Sequence, residues 1–450
     1  MKKQSKWMAL LLVTSMAAAS LMGCGDKSAG DANGSAPGNE TEPKQEASAE
    51  PKGENQDQLT LVWQSWDPIS KYQPVIDAYE EQNPNIKIEY QQVSDYLTKI
   101  FTEAASDELP DLLACQVGYT QEFADAGVLE EIRVEDLKAD ADYEFDDFWE
   151  TTMDYAMYDG KYYGLPVDGG NYAWVYNKKI FDQLGIEVPE EGFSWDEFVE
   201  VSKQIMDQKD EVGVNYATLV NDYGLKTILP YIWQNGCEYL NTDGTASLLD
   251  DQKAIDAVQY IKDLYEVHKV MPTMEKLDEG SLPIVGMLNS GSIAMGRVAL
   301  WEALKLEDSE KLDWQLMHAP HGNDGAKGEV LYVNTLSVAS TSEHKEEAMD
   351  FLKFVTSKEG LKVFLENTSD PQISVRKSLK EVSIAPFDAS KNAGSFVDAL
   401  EYCKWMPNIL SVNDQITAVG RQLDRIWYDN EPVADVMKDA AKEVNGLLVK

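Results

Sequence analysis

Several short stretches of this 450-residue chain set aromatic rings beside carboxylates and amides just beyond apolar runs. Trp66 and Asp67 follow the run Leu59–Trp63, and Gln116 and Tyr119 follow Leu112–Cys115. Asp168, Asn171, Tyr172 and Trp174 follow Leu165-Pro166. Trp233, in Tyr231-Ile232-Trp233-Gln234-Asn235-Gly236, and Arg376 add a further ring and a guanidinium. A flat ring offers an apolar face, while carboxylates, amides and arginine bind hydroxyl groups. A ligand with a C–H face and a rim of hydroxyls needs both, which is the chemistry of a carbohydrate. Trp63 and Trp195 fall on periodic apolar stripes and are assigned to core instead.

Catalytic signatures are missing from the same sequence. It has no Gly-x-Ser-x-Gly, no His-Glu-x-x-His, no phosphate loop and no dinucleotide fingerprint. His268, His318, His321 and His344 are scattered, and Cys115, Cys237 and Cys403 are far apart, so neither a metal site nor a disulfide framework follows. The expectation is a binding protein without cofactor or metal. A glycosidase, which needs only two suitably spaced carboxylates, is the remote alternative. A binder of a non-sugar solute such as a polyamine or peptide is the nearer one.

The elements that must position these residues read as α/β. Leu59, Leu61 and Trp63 alternate as a strand, and Tyr72, Val75, Ile76 and Tyr79 recur at helical spacing before Asn83-Pro84. Ile86–Tyr90 alternates again, a helix follows over Tyr96–Ala105, and Leu112–Cys115 is a third strand. That rhythm predicts a lobe with a largely parallel sheet. Ser194-Trp195-Asp196-Glu197 is a capping box that starts a helix with the stripe Trp195, Phe198, Val199, Ser202, Ile205 and Met206. Lys253–Val267 is predicted helical, Leu336–Ala339 extended, and Ser342 is expected to cap a helix burying Ala348, Phe351, Leu352 and Val355. Val433, Val436, Met437 and Ala440 form a last stripe.

In order along the chain, several blocks resemble the family-1 extracellular solute-binding proteins, the class that includes maltose-binding protein. They are Tyr79-Glu80-Glu81-Gln82-Asn83-Pro84-Asn85-Ile86-Lys87-Ile88, Leu109-Pro110-Asp111-Leu112, Gly160-Lys161-Tyr162-Tyr163-Gly164-Leu165-Pro166, Tyr176-Asn177-Lys178, Phe193–Phe198, Ala294-Met295 with Trp301, and Ala348-Met349-Asp350-Phe351. The resemblance implies a two-lobed, periplasmic-binding-protein-like type II fold with a hinge and a ligand in the cleft. It places crossings near Asp168, Asn334 and Pro371, dividing the globule into 58–168 plus 330–370 and 169–329 plus 371–450. It makes Asp67 a cleft carboxylate and Trp301 a stacking tryptophan. It also implies delivery to an ABC permease with its ATPase subunits. Met406-Pro407-Asn408-Ile409 resembles the matching segment of maltose-binding protein, but Ile416 stands where that protein has a stacking tryptophan. This departure implies a short or differently posed sugar rather than a long maltodextrin.

The N-terminus sets the compartment. Lys2, Lys3 and Lys6 precede the uncharged, mostly apolar stretch Trp7–Met22, the layout of a secretory signal over 1–23. Leu21-Met22-Gly23-Cys24 resembles the lipobox of bacterial lipoproteins, which implies lipidation of Cys24 and attachment to the outer face of the cell membrane. Residues 25–57 contain no aromatic residue and no Val, Ile, Leu or Met, so they cannot bury enough surface to fold. As a flexible tether they would reach roughly 30 Å. The net charge of −40 argues against nucleic acid as a partner, and a monomer is expected.

Overall fold

In a computed structural model, the described residues are 58–448 apart from 221–223, 281–282, 369, 371, 405 and 408. The leader, Cys24 and the tether lie outside them, as does Pro371. Among the described residues no helix is long and apolar enough to cross a membrane.

Two sheets organise residues 58–448. In the first, β1 (Leu59–Ser65) pairs in parallel with β2 (Ile86–Gln92) and with β3 (Leu112–Cys115). The hairpin β4 (Met157–Tyr158) and β5 (Lys161–Tyr162) precedes β6 (Leu165–Gly170), which crosses directly into β7 (Tyr172–Asn177) of the second sheet. β8 (Tyr216–Leu219), β9 (Ile293–Ala299) and β10 (Trp314–Met317) complete that sheet in the order β10-β7-β9-β8. A short β11 (Glu329–Val330) then leads back into β12 (Tyr332–Val338) of the first sheet, whose order is β2-β1-β3-β12-β6. β13 (Cys403–Lys404) pairs in parallel with β11. β12 runs antiparallel to both its neighbours, so the first sheet is parallel except for this returning strand.

Local chemistry accounts for the helices. The Ser194 hydroxyl accepts the Glu197 N–H at 3.4 Å while the Glu197 carboxylate accepts the Ser194 N–H at 2.8 Å, closing the capping box of the helix Trp195–Asp207. Trp195, Phe198, Val199, Ser202 and Ile205 are its buried face. Ser342 behaves differently from a cap. It accepts the His344 N–H and donates to Asp111 Oδ1 at 2.6 Å, so the helix Lys345–Thr356 begins beyond His344. The hydroxyl gives its proton to a carboxylate from a distant loop while its oxygen takes a local N–H ahead of the helix.

The lobes are joined at three places within a few residues. β6 passes into β7 at Asn171, β11 passes into β12 at Leu331, and Ile373 exchanges two backbone hydrogen bonds with Gly169. The crossings therefore cluster at the end of β6, flanked by both returning segments.

Candidate functional site

β1 ends at Ser65, which exposes Trp66 and Asp67 at a strand end where α/β folds place ligands. The half-buried Trp66 ring meets Tyr96 edge-on at 5.2 Å and Tyr119 at 5.8 Å, and Tyr96 stacks on Tyr119 at 6.2 Å. The Tyr96 hydroxyl donates to the Ala114 carbonyl at 2.8 Å, so this aromatic group is anchored to β3. The Gln116 carbonyl accepts the N–H groups of Tyr119 and Thr120, starting the helix Tyr119–Asp125 that presents Tyr119.

Asp67 Oδ2 accepts from the Lys71 ammonium at 2.9 Å and from the Tyr72 hydroxyl at 3.1 Å. Both of these donors engage the same oxygen, Oδ2. The same lysine and tyrosine reach Asp168 Oδ2 at 3.2 and 3.0 Å, and Asn334 donates to Asp168 Oδ1 at 2.9 Å. Asp168 is 2% exposed and every oxygen is engaged. Burial lifts its carboxyl above the usual range, with Lys71 opposing the rise. Burial alone would lower the Lys71 ammonium, yet Asp168 and Asp67 outweigh it and hold it above the ordinary lysine value.

A different aromatic group forms where the two lobes meet, from two rings of the second sheet's strands and one of the first's. Tyr172 opens β7, Trp301 follows β9, and Tyr332 opens β12. Their rings meet edge-on, Tyr172 to Trp301 at 6.3 Å, Tyr172 to Tyr332 at 5.9 Å and Trp301 to Tyr332 at 6.5 Å. Beneath Tyr172, at 3.6 Å, lies the Arg297 guanidinium, held bidentately by Glu329. Burial depresses that guanidinium, but Glu329, with Tyr172 and Tyr332 adding to it, holds it above the ordinary arginine value. Burial also lifts the Tyr172 hydroxyl, with Arg297 pulling the other way.

The two groups are joined through β6. Asp168 and Gly170 lie two residues apart and so on one face of the strand. Asp168 binds the lysine that holds Asp67, and a Cβ on Gly170 would sit 2.5 Å from Trp301 Cζ3. Only glycine allows Trp301 to settle there.

The remaining sequence candidates lie in the interior, and each has a structural occupation. Asn171 is fully buried and donates to the Phe396 carbonyl at 2.7 Å, fixing the crossing. Trp174 alternates to the core side of β7 and packs edge-on against Phe198 at 4.9 Å. Trp233 is 4% exposed on the buried face of the helix Leu225–Gln234. Arg376 is fully buried, donates to the carbonyls of Thr356 and Glu144, and covers the rings of Phe148 and Tyr143. Asp168 belongs with them, as the central acceptor of a buried network. Lys71, Arg297, Glu329 and Tyr332 are additions to the sequence expectation, in which Tyr72 stands only on a helical stripe and Asn334 only at a crossing. Lys71 carried a signal, since it stands four residues before Val75 on an apolar helical stripe, and Arg297 interrupts an apolar strand.

Among the described residues no three His, Cys, Asp or Glu side chains gather where a metal ion could be held. What the arrangement offers is stacking surface with a few fixed polar atoms.

Residues 65–362 match the bacterial extracellular solute-binding proteins. A Brucella abortus binding protein is 24% identical over 386 residues, covering 84% of this chain and 90% of its own. An arabinooligosaccharide-binding protein of Halalkalibacterium halodurans is 26% identical over 217 residues, 46% of each chain. The substrate-binding protein Lmo0181 of Listeria monocytogenes, solved with cycloalternan, superposes with a TM-score of 0.74 at 21% identity, over 87% of this chain and 99% of that one. This likeness shows a shared two-lobed fold. The matched residues span most of the globule and include every ring of both aromatic groups, and the chain belongs to the bacterial extracellular solute-binding proteins.

Proposed function

We propose that this protein captures an oligosaccharide between its lobes and delivers it to an ABC importer, while a lipid on Cys24 holds it at the outer face of the membrane. The observation that carries the reading is the pair of aromatic groups at strand ends, Trp66 with Tyr119 and Trp301 with Tyr172 and Tyr332, together with the Asp67 carboxylate that follows Trp66. Rings of this kind cover C–H faces while the carboxylate takes hydroxyl protons. Relatives named for arabinooligosaccharides and for diacetylchitobiose support the ligand class. The tether after Cys24 supports the anchor, and Ile416 in place of a stacking ring supports a short or differently posed sugar.

A thermal-shift screen of mono- and oligosaccharides against polyamines and peptides tests the capture. A ligand at a hundred times its dissociation constant adds about 2.7 kcal/mol. Stabilisation by polyamines or peptides alone would overturn the carbohydrate reading. Cys24→Ser is expected to release the protein from membranes, and a variant that stays membrane-bound would refute the anchor.

A further inference from the structure

Beside Tyr119 the two lobes touch. Gly118, at the start of the helix Tyr119–Asp125, has φ +88, and a Cβ placed there would lie 2.6 Å from Asn413 Nδ2 and 2.7 Å from Val412 Cγ1. Asn413 and Val412 open the helix Val412–Trp427, which packs into the core of the second lobe. One hydrogen bond spans the contact, from Asn413 Nδ2 to Glu122 Oε1 at 3.2 Å.

Both sides of this contact are rigid. On the first lobe the Gly118 N–H donates to Gln121 Oε1 at 2.7 Å, and the fully buried Gln121 donates to the Met157 carbonyl at 3.1 Å. On the second lobe Ser411 Oγ donates to the Leu447 carbonyl and accepts from Gln415, whose Oε1 accepts the Tyr239 hydroxyl at 2.8 Å. A pinned loop therefore meets a pinned helix start, one residue from the Tyr119 ring that leans on Trp66. Glycine is needed at 118 twice over, for its backbone angle and for the space that the helix start takes.

We infer that Gly118 and Glu122 meeting Val412 and Asn413 form the end wall of the cleft and limit the length of the bound ligand. The inference rests on the oligosaccharide reading for its ligand class. A saccharide lying on Trp66 and Tyr119 runs into Asn413 after its terminal unit, so further units gain no contact. The same helix carries Ile416 where a longer platform would be needed, one turn beyond Asn413. Asn413 and Glu122 are then specificity-determining residues, acting by closing space and not by stacking.

Two measurements decide it. The first needs no ligand. Gly118→Cys with Asn413→Cys, treated with a mild oxidant, is expected to give a cross-link between residues 118 and 413 mapped by mass spectrometry, since the Cβ position at 118 lies 3.0 Å from Asn413 Cγ. If that pair fails to fold, Glu122→Cys with Asn413→Cys bridged by a short bifunctional thiol reagent takes its place. No cross-link in the folded pair overturns the wall. The second is calorimetry on the full-length protein with malto-, arabino- and chito-oligosaccharide ladders from disaccharide to hexasaccharide. Wild-type affinity is expected to stop rising within the ladder, and Asn413→Ala to move that plateau to longer members with a gain of about tenfold for them. Wild-type affinity that climbs through the hexasaccharide, or an unmoved plateau in Asn413→Ala, overturns the length limit. If no ladder binds wild-type protein, the carbohydrate reading fails by itself, and the wall stands or falls on the cross-link.

Discussion

The Arg297 guanidinium lies 3.6 Å beneath the ring of Tyr172 and is clasped at its other edge by Glu329. One buried cation thus fixes two things at once, the tilt of a cleft ring and the strand β11 that leads to Tyr332. Arginine suits the role because its planar fork can stack and bind bidentately together, which lysine cannot do.

Arg297→Met is expected to destabilise the protein by about 3–5 kcal/mol, because it strands the buried Glu329 carboxylate. Denaturant unfolding measures this directly. Arg297→Lys restores a charge but neither the fork nor the stack, so it recovers only part of the loss and leaves ligand affinity reduced. Stability of Arg297→Met within about 0.5 kcal/mol of wild type would contradict the assignment.

Among the described residues Lys71 is the one cation within salt-bridge distance of Asp168. Lys71→Met leaves the buried Asp168 without its counter-charge and should cost about 3–5 kcal/mol. The paired variant Lys71→Met with Asp168→Asn is expected to recover a good part of that loss, a coupling that a double-mutant cycle reads.

Trp66→Ala and Trp301→Ala remove half-buried rings from strand-end loops, not from the core. Each should cost about 2 kcal/mol or more of ligand binding by calorimetry while the ligand-free protein keeps its fold. Unchanged affinity in both would rule out these platforms.

Gly170→Ala places a methyl group 2.5 Å from Trp301 Cζ3. Either the ring or the strand must give way, at about 1–3 kcal/mol, the range found for overpacked sites. Affinity should fall with it, because the ring that moves is the one proposed to stack. Gly170→Ala combined with Trp301→Ala should regain stability but not binding.

Burial holds the Glu122 carboxyl above its ordinary value, with the Asn413 hydrogen bond opposing and Asp414 adding to the rise. A raised acid favours the neutral form in the folded chain. Its stabilising contribution is complete below the ordinary glutamate range and is lost as pH rises through the folded value. Glu122→Gln, neutral at every pH, should therefore gain on wild type between about pH 4 and pH 7. The site is half exposed, so solvent screening keeps the gain to a few tenths of a kcal/mol. Melting curves across that range check it, and a gain that shrinks with rising pH would refute it.

Much of the site's outline was legible in the residues themselves. Alternation over Leu59–Trp63 and the short apolar run Leu112–Cys115 located two strand ends, and Trp66, Asp67, Gln116 and Tyr119 follow them. The capping box of Ser194 formed because both partners are three residues apart, a distance that local geometry settles. Tertiary structure alone decided which polar residues stay at the strand-end rim and which serve the interior. Asp168, Asn171 and Arg376 look in sequence like Asp67, since all are polar residues in loops or at crossings. They differ because β6 and its neighbours bring Tyr72 to Asp168 across 96 residues, and Phe396 to Asn171 across 225. Such pairings depend on strand order and not on spacing. A buried charge is tolerated only where distant partners converge on it, and only the fold can make them converge.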